Sequence, residues 1–147
     1  MKRFFALLIL LLLTAALASA ETVMEVNETV DAEKLVLTVG DSVFTARLCE
    51  NETARALISL LPMTLPMSEL NGNEKYHYLM DALPTQEEAV GQIEPGDIML
   101  FGDRCVVLFY ARFTTGYRYT RIGQIEDAAG LQEALGGGDI TVRFSMP

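Results

Sequence analysis

Short apolar stretches of strand length, separated by glycine-centred turns, set what this chain can fold into. Leu35, Leu37 and Val39 alternate with Val36 and Thr38, the period of two that a half-buried strand requires. Gly40-Asp41 then supplies a turn with glycine first, as a type II′ hairpin needs. The alternation returns over Ser42 to Cys49, with Phe44, Ala46 and Leu48 on one face. Further strands are predicted over Met63 to Leu70, with Pro66 marking an edge or bulge, and over Glu74 to Leu79 after the turn Asn71-Gly72-Asn73. Ile98 to Phe101 and Arg104 to Arg112 form a hairpin around Gly102-Asp103, and Tyr117 to Ile125 and Asp139 to Ser145 complete the set. Met80 to Gln92 reads as a loop.

Two helices interrupt this series. Asn51 caps the first, whose apolar residues Ala54, Leu57, Ile58 and Leu61 fall on one face and which Pro62 stops. Asp127 caps a second, ended by Gly136-Gly137-Gly138. About eight strands with two short helices and no regular βαβ alternation predict a mainly β fold, an antiparallel sheet closed on itself.

The start of the chain is of another kind. Lys2 and Arg3 precede an apolar run from Phe4 to Leu13, and Ala18-Ser19-Ala20 follows. That order is a secretory signal peptide, residues 1–20, cut between Ala20 and Glu21. A spanning helix needs about 20 apolar residues, so the only membrane attachment foreseen is an uncleaved signal segment. Residues 21–33 read as an acidic linker or frayed lead-in, and 34–147 as one barrel domain. The expected address is extracytoplasmic: secreted, periplasmic or at the cell envelope. Without Lys2 and Arg3, nine basic residues face twenty acidic ones, a net charge of −11. Such a domain repels phosphate backbones, which argues against nucleic acid as a partner.

An oxidising setting permits a disulfide between Cys49 and Cys105. Side-chain parity argues against it, because Cys49 lies opposite the apolar face of its strand while Cys105 shares a face with Val107, Phe109 and Phe113. His77 is the single histidine, no serine stands in a Gly-x-Ser-x-Gly elbow, and no phosphate-cradling glycine loop is present. One histidine and two separated cysteines do not make a zinc site. No catalytic residue, metal or cofactor is therefore assigned.

Several segments carry a family likeness: Thr53-Ala54-Arg55, Leu70-Asn71-Gly72-Asn73-Glu74-Lys75-Tyr76, Pro95-Gly96-Asp97, Cys105-Val106-Val107-Leu108-Phe109-Tyr110 and Tyr119-Thr120-Arg121-Ile122-Gly123. Taken in order, they resemble the small bacterial cyclophilin-like proteins over about Leu35 to Phe144. The resemblance implies a closed eight-stranded β-barrel with helices covering its ends. It implies no activity, since none is established for that family. The Phe-His-Arg and Gly-Gly-Asp-Phe stretches of true cyclophilins do not occur here, so none of their catalytic residues carries over.

Two surfaces remain as candidate ligand sites. Arg104, Val106, Leu108, Tyr110 and Arg112 share one face of their strand, and the opposite, wholly apolar face, with Phe109 and Phe113, is expected inside the barrel. If the strand from Tyr117 pairs with it, Tyr110 and Arg112 lie beside Tyr117, Tyr119 and Arg121, a set suited to gripping a peptide. Cross-strand packing with surface ion pairs is the plainer explanation of the same residues. The second surface is the turn Asn71, Asn73, Glu74 and Tyr76, whose amides suit a polar ligand and whose glycine and asparagine equally suit a turn. The expected function is a non-catalytic module binding a peptide or small molecule. The alternative is a peptidyl-prolyl isomerase acting on secreted proteins, with an arginine such as Arg112 as donor.

Overall fold

The computed structural model describes residues 32–147. The signal segment, its cut before Glu21 and all but the last two residues of the acidic lead-in lie outside the described residues. The elements in chain order are β1 (Lys34–Val39), β2 (Ser42–Leu48), α1 (Glu52–Ile58), β3 (Met63–Leu70), β4 (Glu74–Tyr78), β5 (Glu88–Ala89) and β6 (Gln92–Ile93). They continue with β7 (Asp97–Phe101), β8 (Cys105–Phe109), β9 (Phe113–Thr114), β10 (Arg118–Ile125), α2 (Leu131–Leu135) and β11 (Ile140–Ser145).

Eight of these strands close a barrel in the order β2-β1-β11-β3-β4-β8-β7-β10, with β10 returning to β2. Every pairing is antiparallel. The first hairpin turns as its sequence requires: Val39 faces Ser42 across Gly40, whose φ is 57°. Closure depends on β10 serving two neighbours. Its register against β7 shifts between Arg121 and Gly123, and from Gly123 to Ile125 it pairs with β2. A Cβ at Gly123 would stand 2.6 Å from the Arg47 carbonyl oxygen, so only glycine lets β2 approach.

The barrel interior takes the alternate residues of each strand. Leu35, Leu37, Phe44, Ala46, Leu65, Met67, Ile98, Leu100, Val142 and Phe144 meet there. Helix α1 adds Ala54 and Leu57, and α2 adds Leu131 and Leu135. Asn51 caps α1 as expected, its Oδ1 accepting from the Ala54 N–H at 2.8 Å. The second cap differs from expectation. Asp127 accepts from the Ala129 N–H at 3.0 Å in a local turn, and α2 begins after Gly130, which no side chain caps. Pro66 sits inside the sheet, paired with Thr141 of β11. On its other side the β3–β4 ladder begins only at Ser68, and His77 Nδ1 donates to the Pro66 carbonyl at 2.8 Å.

The face of β8 is the reverse of the sequence expectation. Val106, Leu108 and Tyr110 point into the barrel core. Cys105, Val107 and Phe109 form a second, outer cluster with Met99, Ile93 and Tyr119, and Phe113 packs on it. The reason is that β8 is only five residues long, so Arg104 and Arg112 fall beyond its ends and do not mark its solvent side. Both faces of β8 are buried, because the small β6–β9 ribbon covers part of the outer one. The expected pairing of this strand with β10 is also absent: β7 lies between them. The loop from Met80 carries β5, which pairs with β10, and leads into β6. Two-residue strands have no alternation to read.

Candidate ligand-binding hollow on the outer face

Four neighbouring barrel strands, β4, β8, β7 and β10, present their outward residues to one hollow of about 750 Å³. Cys105 and Val107 of β8 make its floor. Glu74, Tyr76 and Tyr78, alternate residues of β4, make one wall. Phe101, Tyr117 and Tyr119 make the other. The β3–β4 turn with Asn71 and Asn73 and the segment from Phe113 to Gly116 close the ends. This size lies within the range of small-molecule sites.

The aromatic rings hold one another at angles. Tyr76 and Tyr78 meet edge to face at 5.9 Å, as do Phe101 and Tyr117 at 5.8 Å, and Phe109 supports Tyr119 from behind at 5.5 Å. Despite these contacts Tyr78 is 62% exposed and Tyr117 66%, so large apolar area faces water around the rim. An exposed aromatic group of this kind marks a contact surface more than a lone surface residue does. At the turn, Asn71 and Gly72 both adopt positive φ, 56° and 69°, the pair a type I′ turn demands. Asn73 follows, and its side-chain Oδ1 is buried without a hydrogen-bond partner among the described residues.

Electrostatics divide the turn region by strand parity. On the outer face, burial and then the nearby Glu69 push the Glu74 carboxyl above its usual range. Glu74 has no ion pair or hydrogen bond from its side chain among the described residues. On the inner face Lys75 is fully buried, and its Nζ donates to Glu69, to the Gly136 carbonyl at 2.8 Å and to the Gly138 carbonyl at 2.6 Å. Burial pushes the Glu69 carboxyl up, but bonds from Lys75, the Tyr110 hydroxyl and the Gly72 N–H together bring it below its usual range. The Tyr110 hydroxyl is pushed up to about 12 by burial and by the Glu69 carboxylate that accepts its hydrogen bond. Burial also pushes the Cys105 thiol up to about 11, so the hollow's floor stays uncharged.

The nine residues chosen from sequence are thus sorted. Asn71, Asn73, Glu74, Tyr76, Tyr117 and Tyr119 share the hollow, which joins parts of both candidate surfaces. Tyr110 points into the barrel. Arg112 lies outside the hollow and donates to Glu94 at 2.7 Å. Arg121 donates to Glu88 and lines a second depression of about 470 Å³ with Cys49, Asp97 and Gln124. The arginines therefore form surface ion pairs and no common cationic group. Tyr78, Phe101, Cys105, Val107 and Phe113 belong to the hollow but were not singled out. Tyr78 was within reach, since it has the parity of Tyr76. Cys49 and Cys105 are free thiols. Among the described residues no three His, Cys, Asp or Glu side chains gather as a metal ion would require.

A closed eight-stranded antiparallel barrel with two short helices and this outer hollow is a cyclophilin-like barrel. The chain belongs to the cyclophilin-like family, whose sequence model matches residues 37–145. Its fold is similar to that of the hypothetical protein AF2241 from Archaeoglobus fulgidus, determined in solution. The two share 20% identity at a TM-score of 0.61, over 80% of this chain and 96% of the archaeal one. That likeness concerns the fold alone. A comparison with curated protein sequences yields no match.

Proposed function

We propose that the protein is a non-catalytic binding module, working outside the cytoplasm, that holds a small ligand or a short peptide in the aromatic hollow. The observation that carries this reading is the open aromatic cleft of about 750 Å³, at whose rim Tyr78 and Tyr117 stand 62% and 66% exposed. Water-exposed aromatic area of this kind is what a ligand would cover. Four of the chain's five tyrosines stand around the same space. The basic, apolar leader supports the extracytoplasmic address. The isomerase alternative has no such observation in its favour, since Arg112 is held by Glu94 away from the hollow.

A thermal-shift screen of peptides and metabolites tests the reading. Hits are expected to lose at least tenfold in affinity on Tyr117→Ala, an exposed position whose truncation leaves the core intact. They are expected to be unaffected by Arg112→Ala with Arg121→Ala. Hits that ignore Tyr117→Ala and Asn73→Ala alike would place binding elsewhere. A protease-coupled proline-peptide assay should show no acceleration, and clear turnover there would replace this reading with the isomerase.

A further inference from the structure

The formal charge facing the hollow is of one sign. Glu74 is its single charged lining residue among the described residues. The ring faces of Tyr76, Tyr78, Phe101, Tyr117 and Tyr119 carry the negative side of the aromatic quadrupole. Among the described residues the nearby cations are engaged elsewhere: Lys75 with Glu69 on the inner face, Arg112 with Glu94, Arg118 with the Glu87 carbonyl, Arg121 with Glu88, and Arg104 with Met80 and Asp103. Such a cleft repels anions and leaves Glu74 paying for partial burial with no counter-charge.

Given that the hollow binds a ligand, the geometry points to an alkylated ammonium ion as that ligand, its charge against Glu74 and its methyl groups against the tyrosine and phenylalanine rings. A primary ammonium is strongly hydrated and asks for three acceptors. The hollow offers one carboxylate, that of Glu74, beside walls that are mostly aromatic ring and a floor of Val107 and Cys105. An alkylated ammonium presents greasy, positively charged surface, which aromatic rings attract most strongly when water is excluded. The net charge of the processed chain adds long-range attraction of the same sign. Binding also depends on pH. The titratable groups coupled electrostatically to Glu74 are Cys105 from β8 and Tyr119 from β10 on the hollow side, and Glu69 from β3 and Tyr110 on the inner side. Burial raises the thiol and both phenols, which stay protonated in acid, and Glu69 titrates below its usual range. Loss of affinity on acidification therefore follows the protonation of Glu74.

The test compares choline with 3,3-dimethyl-1-butanol, its neutral isostere, on the full chain. The chain has no tryptophan, so tyrosine emission reports the hollow directly. Choline is expected to bind at least tenfold tighter than the isostere. Glu74→Gln is expected to shrink that preference at least fivefold, to the part that the aromatic rings supply. Equal binding of both probes, or an unchanged preference in Glu74→Gln, overturns the ammonium assignment while leaving a neutral apolar binding site. If neither probe binds but screened ligands remain sensitive to Tyr117→Ala, the assignment alone fails. If no ligand of any class binds, it fails together with the binding reading.

Discussion

Replacing Lys75 by methionine should be the most damaging single change on the barrel wall. Methionine keeps most of the unbranched stem, so packing is nearly preserved and the charge is what disappears. Three donor contacts go with it: to Glu69, Gly136 and Gly138. The approach of Nζ to the Tyr110 ring, 5.2 Å from its centroid, goes too. Glu69 is then left partly buried, with only Tyr110 and Gly72 as donors. Breaking a buried pair from one side costs about 3–5 kcal/mol. The Glu69 side chain keeps 19% exposure and the two glycine carbonyls lie near the surface, so partial rehydration sets the figure at the low end, about 3 kcal/mol. For a domain stable by roughly 5–15 kcal/mol that is a large share.

Urea unfolding measures it. With a slope of about 1–3 kcal/mol/M, the midpoint should fall by about 1–3 M at unchanged slope. Glu69→Gln together with Lys75→Met removes the stranded charge but keeps an oxygen for Tyr110, so the double variant should be less unstable than the two losses added, by about 2 kcal/mol. Acid adds an independent check. The Glu69 carboxyl is held below its usual range, so its stabilisation is present above the unfolded carboxylate range and is lost as pH falls through the lower folded value. Lys75→Met should flatten that acid loss. A cost below about 1 kcal/mol, or strict additivity in the cycle, would refute the reasoning that this pair ties the α2 terminus to the β3–β4 turn.

Gly123→Ala should cost at least about 1–3 kcal/mol by overpacking. Its Cβ meets backbone on β2, and hydrogen exchange should show the β2–β10 seam opening first; intact protection there would mean that closure does not depend on this approach. Glu74→Gln should stabilise the protein at neutral pH and lose that gain in acid. The raised carboxyl makes the ionised form unfavourable in the folded state above its folded pKa, and protonation relieves this as pH falls; a gain that persists at low pH would point to packing instead. Both thiols should titrate after unfolding, and in the native protein Cys49 should react before Cys105, whose thiol is buried and pushed up to about 11. Absence of free thiol in the unfolded, unreduced chain would establish a disulfide.

Much of the barrel was legible because alternation and turn chemistry agreed. Leu35, Leu37 and Val39 against Phe44, Ala46 and Leu48 allow one register across Gly40, and the structure has it. What was illegible follows from β8. Cys105, Val106, Val107, Leu108 and Phe109 are all apolar and all buried, so a period of two is present on neither face. Only neighbours decide which side is interior, and the neighbour that matters, the β6–β9 ribbon, consists of two-residue strands without a pattern of their own. That reversal moved Tyr110 into the core and brought Val107 into the hollow. The part of the site on β4 survived the error, because Glu74, Tyr76 and Tyr78 alternate with Lys75 and His77, and side-chain character there does distinguish two faces.

The segment from Leu70 to Tyr76 therefore carries two separable roles on opposite sides of one strand. Its inward lysine locks the barrel end through Glu69 and the glycine carbonyls after α2, while its outward carboxylate and tyrosine, with Asn73 beside them, shape the hollow. Parity separates the consequences of mutation. Lys75→Met should lower stability and leave ligand preference intact in the folded fraction. Glu74→Gln should raise stability at neutral pH and weaken the preference for a cation. A stabilising change that weakens recognition is what a carboxylate held against its own burial produces, and a structural turn alone gives no reason for it. If both substitutions moved stability and binding together, the two faces would be one coupled unit, and the division of labour drawn from the alternation of β4 would be wrong.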